Sequence, residues 1–205
     1  MKDINKFEIT GRIKRITTDK SGNPTIILAI VRDQKTFRNI TIVSDKPIPP
    51  EIIEGEKVTV KGYIRASVYY DDANVFRSSF KFVSTEIVAQ KTVLEEECGI
   101  KGRFYNNDYS KISLIGEITW IQSTGNDWAI IYVTTDINGR KDSVPLSYNT
   151  KAKLPKIGKF EKGDRVAVYA SAWAQDKVVN GEKRHYDNIM VEDIITVEKA
   201  DLNIM

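Results

Sequence analysis

The sequence predicts an all-β protein built as two similar five-stranded Greek-key barrels in tandem, on three observations. The first is an internal repeat. Phe7-Glu8-Ile9-Thr10-Gly11-Arg12-Ile13-Lys14-Arg15-Ile16 lines up with Ile112-Ser113-Leu114-Ile115-Gly116-Glu117-Ile118-Thr119-Trp120-Ile121 in its apolar positions and its glycine. Glu54-Gly55-Glu56-Lys57-Val58-Thr59-Val60-Lys61-Gly62 then lines up with Lys162-Gly163-Asp164-Arg165-Val166-Ala167-Val168-Tyr169-Ala170, offset by 108 residues where the first pair is offset by 105. One unit of about 90 residues therefore occurs twice. The second observation is period: Phe7, Ile9 and Ile13, Val58 and Val60, and Val166 and Val168 follow the twofold spacing of half-buried strands, and no stretch sustains a helical period. The third is punctuation by Ser21-Gly22-Asn23-Pro24, Asn138-Gly139 and Asn180-Gly181, the last two suited to the positive φ angles of type I′ hairpins.

These signals place the elements in order. In the first unit strands are expected at Phe7–Thr17, Thr25–Arg32, Thr36–Val43, Glu56–Ala66 and Ser78–Val88. The second unit repeats them at Ile112–Ser123, Trp128–Asp136, Arg140–Tyr148, Asp164–Gln175 and Lys183–Val197. Ile26 to Val31 is an unbroken apolar run with the β-branched content of a buried strand. Between the third and fourth strands lies a longer connector, Ser44–Gly55 with Pro47, Pro49 and Pro50, and Asn149–Gly163 with Pro155 and Gly158. Prolines limit any helix there to a turn or two, expected at Glu51–Ile53. Three strands, a connector and two strands describe an OB-fold, a small Greek-key barrel, and the glycine in strand one suits a barrel corner where a side chain would obstruct the bend. The expected domains are an N-terminal OB-fold over residues 1–90, a linker over 91–107 with Cys98-Gly99-Ile100-Lys101-Gly102, and a C-terminal OB-fold over 108–200.

Composition narrows the function. At 41% hydrophobic and 29% charged residues, collagen-like, disordered and disulfide-scaffold classes fall away. The longest apolar run is far short of the ~20 residues a bilayer-spanning helix needs, so no membrane is expected as partner. The first residues carry no secretory signal, and Cys98 has no second cysteine to pair with, so a cytoplasmic location is expected. One His, His185, and one Cys are too few for a zinc site or a nucleophilic triad. No glycine-rich phosphate loop appears, and the acidic pairs Asp71-Asp72 and Glu192-Asp193 have no further acids around them. The expectation is a protein with no catalysis, no cofactor and no metal.

Ile112-Ser113-Leu114-Ile115-Gly116, then Glu161-Lys162-Gly163-Asp164-Arg165-Val166-Ala167-Val168, then Asn180-Gly181-Glu182-Lys183-Arg184-His185-Tyr186 resemble the opening strand, the start of the fourth strand and the last hairpin of bacterial single-stranded DNA-binding proteins. The resemblance covers most of the second half and, more faintly, the first. It implies OB-folds that bind single-stranded DNA with little sequence preference, without catalysis or cofactor. Two departures stand out: the family usually has one OB domain per chain, and its flexible tail with an acidic tip is not seen in Lys199-Ala200-Asp201-Leu202-Asn203-Ile204-Met205. The two OB units resemble the arrangement of some bacterial and archaeal members, and the short tail also suits a phage, plasmid or integrative element and puts recruitment of replication or recombination proteins in question.

Sequence-tolerant binding of a single strand needs a basic groove and exposed rings on which bases stack. In the second unit the family alignment puts Tyr148 at the end of strand three and Trp173 on strand four, at positions of stacking aromatics. Trp120 and Trp128 flank the first loop, Tyr132 lies on strand two, and Tyr186 follows Lys183 and Arg184 in the last hairpin. In the first unit Ser67 to Arg77 reads as a loop carrying Tyr69, Tyr70, Phe76 and Arg77, while Arg12, Lys14, Arg38 and Arg65 lie on strands one, three and four. Strand aromatics are more often core than contact, and such cations usually form a solvated face. Net charge is only +3, with 18 Lys+Arg against 14 Asp+Glu up to Arg103 and 13 against 14 beyond, so any basic footprint is local. The expected function is coating of single-stranded DNA during replication, recombination or transfer. RNA binding and an OB-fold protein–protein assembly module are the alternatives. Tyr69-Tyr70 and the barrel edges also offer a homodimer contact.

Overall fold

A computed structural model describes residues 1–33, 36–90, 108–124, 127–152, 154–155, 157–179 and 181–198. The expected linker at 91–107 lies outside the described residues, as do residues 199–205. Ten strands run in order: β1 (Ile4–Thr18), β2 (Pro24–Asp33), β3 (Thr36–Ser44), β4 (Lys57–Tyr70), β5 (Phe76–Ala89), β6 (Tyr109–Ser123), β7 (Trp128–Ile137), β8 (Arg140–Asn149), β9 (Arg165–Val179) and β10 (Glu182–Glu198). β1 to β5 pair in the order β2-β3-β5-β4-β1 and close through β1–β2; β6 to β10 pair in the order β6-β7-β8-β10-β9 and close through β6–β9. Both are five-stranded OB barrels. No helix among the described residues is long and apolar enough to cross a membrane.

The stretches aligned in sequence hold the same places in the two barrels. Gly11 pairs with Val58 and Gly116 with Val166; Phe7 pairs with Gly62 and Ile112 with Ala170. The Ile13 N–H donates to the Glu56 carbonyl at 2.8 Å, and the Ile118 N–H donates to the Asp164 carbonyl at 2.9 Å. Alternate residues of each strand point inward, and one apolar core runs through both barrels, with Ile9, Leu28, Ile42 and Val60 in the first and Ile112, Ile131, Leu146 and Val168 in the second. The corner glycines are required by close approach. A Cβ at Gly116 would stand 2.3 Å from the Thr134 carbonyl oxygen, and one at Gly62 would stand 1.9 Å from that of Val83.

Two expectations change. The expected helix at Glu51–Ile53 is instead a turn closed by the Ile52 N–H on the Pro49 carbonyl at 2.9 Å. The helical turn lies in the second connector, at Ile157–Lys159. Both connectors serve as plugs, since Ile52 and Phe160 drop into the core. The loop expected over residues 67–77 shrinks to Asp71–Val75, because Tyr69 pairs with Arg77 and Tyr70 with Phe76. Asp71 closes that turn by accepting the N–H groups of Ala73 and Val75 at 3.1 and 2.8 Å, with Asn74 at φ 57°.

The barrels are joined edge to edge. β1 pairs antiparallel with β6 from Ile4↔Ile115 to Thr10↔Tyr109, so a single sheet passes through both. Buried side chains reinforce the seam. The Asn5 amide exchanges two hydrogen bonds with the Ile64 backbone, at 2.7 and 2.9 Å, and donates to Thr135 at 3.2 Å. Asp142, 2% exposed, accepts the Ala66 N–H at 3.0 Å and the Arg140 Nε–H at 2.8 Å. The Arg140 guanidinium lies 4.0 Å from the centroid of the Tyr63 ring.

Candidate nucleic-acid interface

β4–β5 and β9–β10 are long hairpins, and each crosses the seam to the other barrel. The tip of β4–β5 lies on the outer face of β6 and β7. There the Phe76 ring stacks on Trp120, with centroids 5.7 Å apart and planes at 17°. Tyr70 and Tyr132 meet Phe76 edge-on at 5.6 and 5.4 Å, and the hydroxyls of Ser78 and Tyr132 lie 3.3 Å apart. Such offset and edge-to-face geometries are the favoured ones for aromatic pairs. Trp120 is the end ring of this stack and is 48% exposed; Tyr70 is 62% exposed. Trp120 thus presents a large, pre-positioned π surface to solvent.

The opposite face of the same hairpin is polar. Strand alternation places Arg65, Ser67 and Tyr69 there on β4, paired with Lys81, Ser79 and Arg77 on β5. Arg77 donates to Asp71 at 2.8 Å, and Lys81 lies 3.4 Å from Asp19. The carboxyl of Asp71 is held below its usual range by the Val75 N–H and then by Arg77. Asp19, bonded by Asn23, is lowered to about 2.

The β9–β10 hairpin makes the corresponding crossing to β3 with different chemistry. The Arg38 guanidinium covers the Trp173 ring at 4.6 Å. The backbone of Asn39 bonds His185, and that of Thr41 bonds Asp187. His185 lies 2.8 Å from Asp176 and 3.3 Å from Asp187. Burial raises Asp187 to about 6 against the opposing pull of His185. Burial also depresses His185, but the Asp176 hydrogen bond and the charge of Asp187 outweigh it, and the net shift is upward. Lys183 pairs with Asp176 at 2.9 Å, Arg184 with Glu182 at 3.3 Å, and Lys177 stands 6.0 Å above the Tyr186 ring.

The structure therefore brings the expected residues into separate groups. Tyr70, Phe76, Trp120 and Tyr132 form the aromatic cluster; Arg65, Tyr69 and Arg77 share the hairpin's outer face; Arg38 and Trp173 pair, with Lys183, Arg184 and Tyr186 further along that hairpin. Trp128 stands apart at the start of β7, 36% exposed. Arg12 is exposed on β1 and donates to the Gly55 carbonyl at 2.6 Å. Lys14 is the extra residue of a bulge between Ile13 and Arg15, which puts Arg15, not Lys14, in the row with Arg12.

Two aromatics are corrected. Tyr148 is fully enclosed, with its hydroxyl on the Pro155 carbonyl and its ring against Phe160, so neither face is open to a base. Tyr132 is 3% exposed, covered by Phe76, and supports the stack without offering a platform. Residues not anticipated beside this face are Lys81, which follows from cross-strand pairing with Arg65, and Lys46, which comes near through the pairing of β3 with β5 in the same barrel.

No protein-family model matches the sequence, and no curated protein matches it. Among solved structures the chain is similar to the wild-type single-stranded DNA binding protein from Thermus aquaticus, with a TM-score of 0.58 at 12% identity over 98% of this chain and 96% of that one. A deletion mutant of that protein gives 0.56 at 12% identity, over 100% and 99%. At this identity the likeness is one of fold, and it extends through both barrels.

Proposed function

We propose that this protein binds single-stranded DNA with little sequence preference and acts as a coating protein, without a catalytic step. The observation that carries this reading is the Trp120 platform: a half-exposed indole, stacked on Phe76 and braced through it by Tyr70 and Tyr132. Stacking on such a ring contributes about 1–3 kcal/mol per base and accepts any base, because every base has a π face. The shared fold with a protein named for single-stranded DNA binding supports the same reading.

The two barrels divide the work. Barrel equivalence, read from the β1–β2 and β6–β7 registers, sets Arg15 where the second barrel has Trp120, and Ile27 where it has Tyr132. The second barrel stacks bases and the first supplies charge. Because the platform combines rings from both barrels, both are needed for full affinity. Processing of DNA in replication, recombination or transfer is the setting this activity fits.

Titration of the intrinsic tryptophan fluorescence with oligo-dT tests the reading, with an equal-length duplex and an equal-length RNA as competitors. Strong quenching by oligo-dT, weak response to duplex and a 5- to 150-fold loss of affinity in Trp120→Ala are expected, the span being about 1–3 kcal/mol of stacking. Absence of binding to any nucleic acid refutes it and leaves an assembly module; preferential binding of RNA moves the substrate class.

A further inference from the structure

The two cross-barrel hairpins are seated by different chemistry: β4–β5 by rings, β9–β10 by groups that carry protons. β3 pairs with β2 along its length but with β5 only from Ile42 to Ser44, so among the described residues the second edge of residues 36–41 has no strand beside it. His185 and Asp187 of β10 meet that edge. The Asn39 carbonyl accepts from the imidazole, and the Thr41 N–H donates to the carboxylate. Side chains at i and i+2 of a strand share a face, and backbone groups at i and i+2 share an edge, so the two spacings match. Trp173 lies on the hairpin's other face, cross-strand from Asn188, and Arg38 covers it there at 4.6 Å. β3 thus grips the hairpin on both faces. The imidazole has acceptors on both sides: Nδ1 lies 2.8 Å from an Asp176 oxygen and Nε2 lies 3.3 Å from an Asp187 oxygen, with the Asn39 carbonyl a third. A neutral imidazole has one N–H and one lone pair, and only the imidazolium donates on both sides. Lys183, 2.9 Å from Asp176, and then His185 hold the Asp176 carboxyl ionised. Lys177, Glu182 and Arg184 alternate onto the far face with Trp173, Arg38 is the one charged residue of β3, and Ala29 and Ile27 of β2, opposite Asn39 and Thr41, carry no charge.

We propose that His185 and Asp187 form a proton-operated latch, closed on the edge of β3 while the pair is protonated and released when its protons are lost, so that one event uncovers both that edge and the Trp173 ring. When the imidazole gives up its proton, one ring nitrogen turns a lone pair toward a carboxylate. Asp176 and Asp187 then face the ring as two negative charges, and Lys183 compensates only the first. Burial keeps a proton on Asp187 up to about 6; burial works against the charge on His185, but the Asp176 bond and the Asp187 charge hold its proton above the ordinary range. Both groups therefore bind protons more tightly in the closed seat than in the open one. The seat is favoured at low pH and weakens as pH rises through the two raised values. Arg38 precedes Asn39 in the same strand, so departure of the hairpin from the edge also parts Arg38 from Trp173. The latch acts without nucleic acid and stands or falls independently of the single-strand reading.

Amide hydrogen exchange of the full chain, free of nucleic acid, tests the latch between pH 5 and 8, with each rate referred to the intrinsic rate at that pH. Protection of the Thr41 amide should fall by about tenfold or more across the range, tenfold being what release of the Asp187 proton alone allows. The opening is local, so Thr41 should exchange faster than the Ile118 amide of the second barrel, which donates to the Asp164 carbonyl, and low urea should speed Ile118 but not Thr41. In the double variant His185→Gln, Asp187→Asn, which keeps a donor and an acceptor but cannot titrate, Thr41 protection should be level from pH 5 to 8; circular dichroism checks that it is folded, and the profile of the parent decides the matter if it is not. Arg38→Gln removes the grip on the other face and should speed Thr41 exchange about 2- to 5-fold at every pH, leaving the pH dependence in place. Thr41 protection that does not change with pH in the parent, exchange of Thr41 only together with Ile118, or an undiminished pH dependence in the double variant overturns the latch. An unchanged Thr41 rate in Arg38→Gln overturns the joint uncovering of Trp173.

Discussion

Asp142 ties the second barrel to the first, and its removal gives a quantitative test of that junction. In Asp142→Ala the buried Ala66 N–H loses its acceptor, a penalty of about 1–3 kcal/mol. Arg140 also loses its charged partner at 2.8 Å, a bond worth about 1.5–3 kcal/mol. Its side chain is 37% exposed and can rehydrate, so the lower half of that range applies. The sum is about 2.5–5 kcal/mol. Asp142→Asn keeps an oxygen for Ala66 and loses only the charge, so about 1 kcal/mol is expected. Urea unfolding followed by circular dichroism measures both variants. A loss below about 0.5 kcal/mol in Asp142→Ala, within the range of ordinary surface changes, would refute the claim that this carboxylate holds the seam.

Three further outcomes follow from the geometry. Asp187 carries a carboxyl raised from 3.8 to about 6, so between these values the folded chain holds a proton that the unfolded chain has released, and stability declines as pH rises through that window by on the order of 3 kcal/mol. The upward-shifted His185 adds a contribution that is complete below its unfolded value and is lost above its folded one. Melting temperatures from pH 4 to 8 should show the decline, and Asp187→Asn should abolish the part below pH 6 and raise stability at pH 7.5. Gly62→Ala should cost more than about 4 kcal/mol, since its Cβ would overlap the Val83 carbonyl, whereas Gly22→Ala, at φ 81° in open space, should cost about 1–2 kcal/mol; thermal unfolding of both distinguishes close approach from backbone freedom. Tyr148→Phe should lower stability by about 1 kcal/mol and leave oligo-dT affinity unchanged, where a loss of affinity would return the ring to the binding surface.

The strand plan was legible because it depends on local signals. Alternating apolar residues, two Asn-Gly pairs and the corner glycines each act within a few residues, and the strands stand close to their expected bounds except at the tips of the two long hairpins, where β4 and β9 each run four residues past their expected ends. The β4–β5 tip differs because aromatics beside Asp71-Asp72 read as a loop, whereas cross-strand pairing extends the ladder until Asp71 turns it. Tyr148 stands at the end of its strand as expected but is enclosed for a related reason: its strand alternation points it into the barrel, and burial there depends on the Pro155 connector folding back over it.

What the sequence determined by itself was the number of strands, their order and the repetition of one barrel, since period and turn chemistry are written along the chain. Composition likewise limited charge to local patches. What only the tertiary structure decided was which residues meet across the seam. Edge pairing of β1 with β6 sets the barrels against one another, and from that follow the Phe76–Trp120 stack, the Arg38–Trp173 contact and the hydrogen bond of the Ala66 N–H to Asp142. These contacts join residues tens of positions apart, and no local propensity encodes them: they exist because two closed barrels, each with one strand edge left to pair, bury their backbone hydrogen bonds in each other.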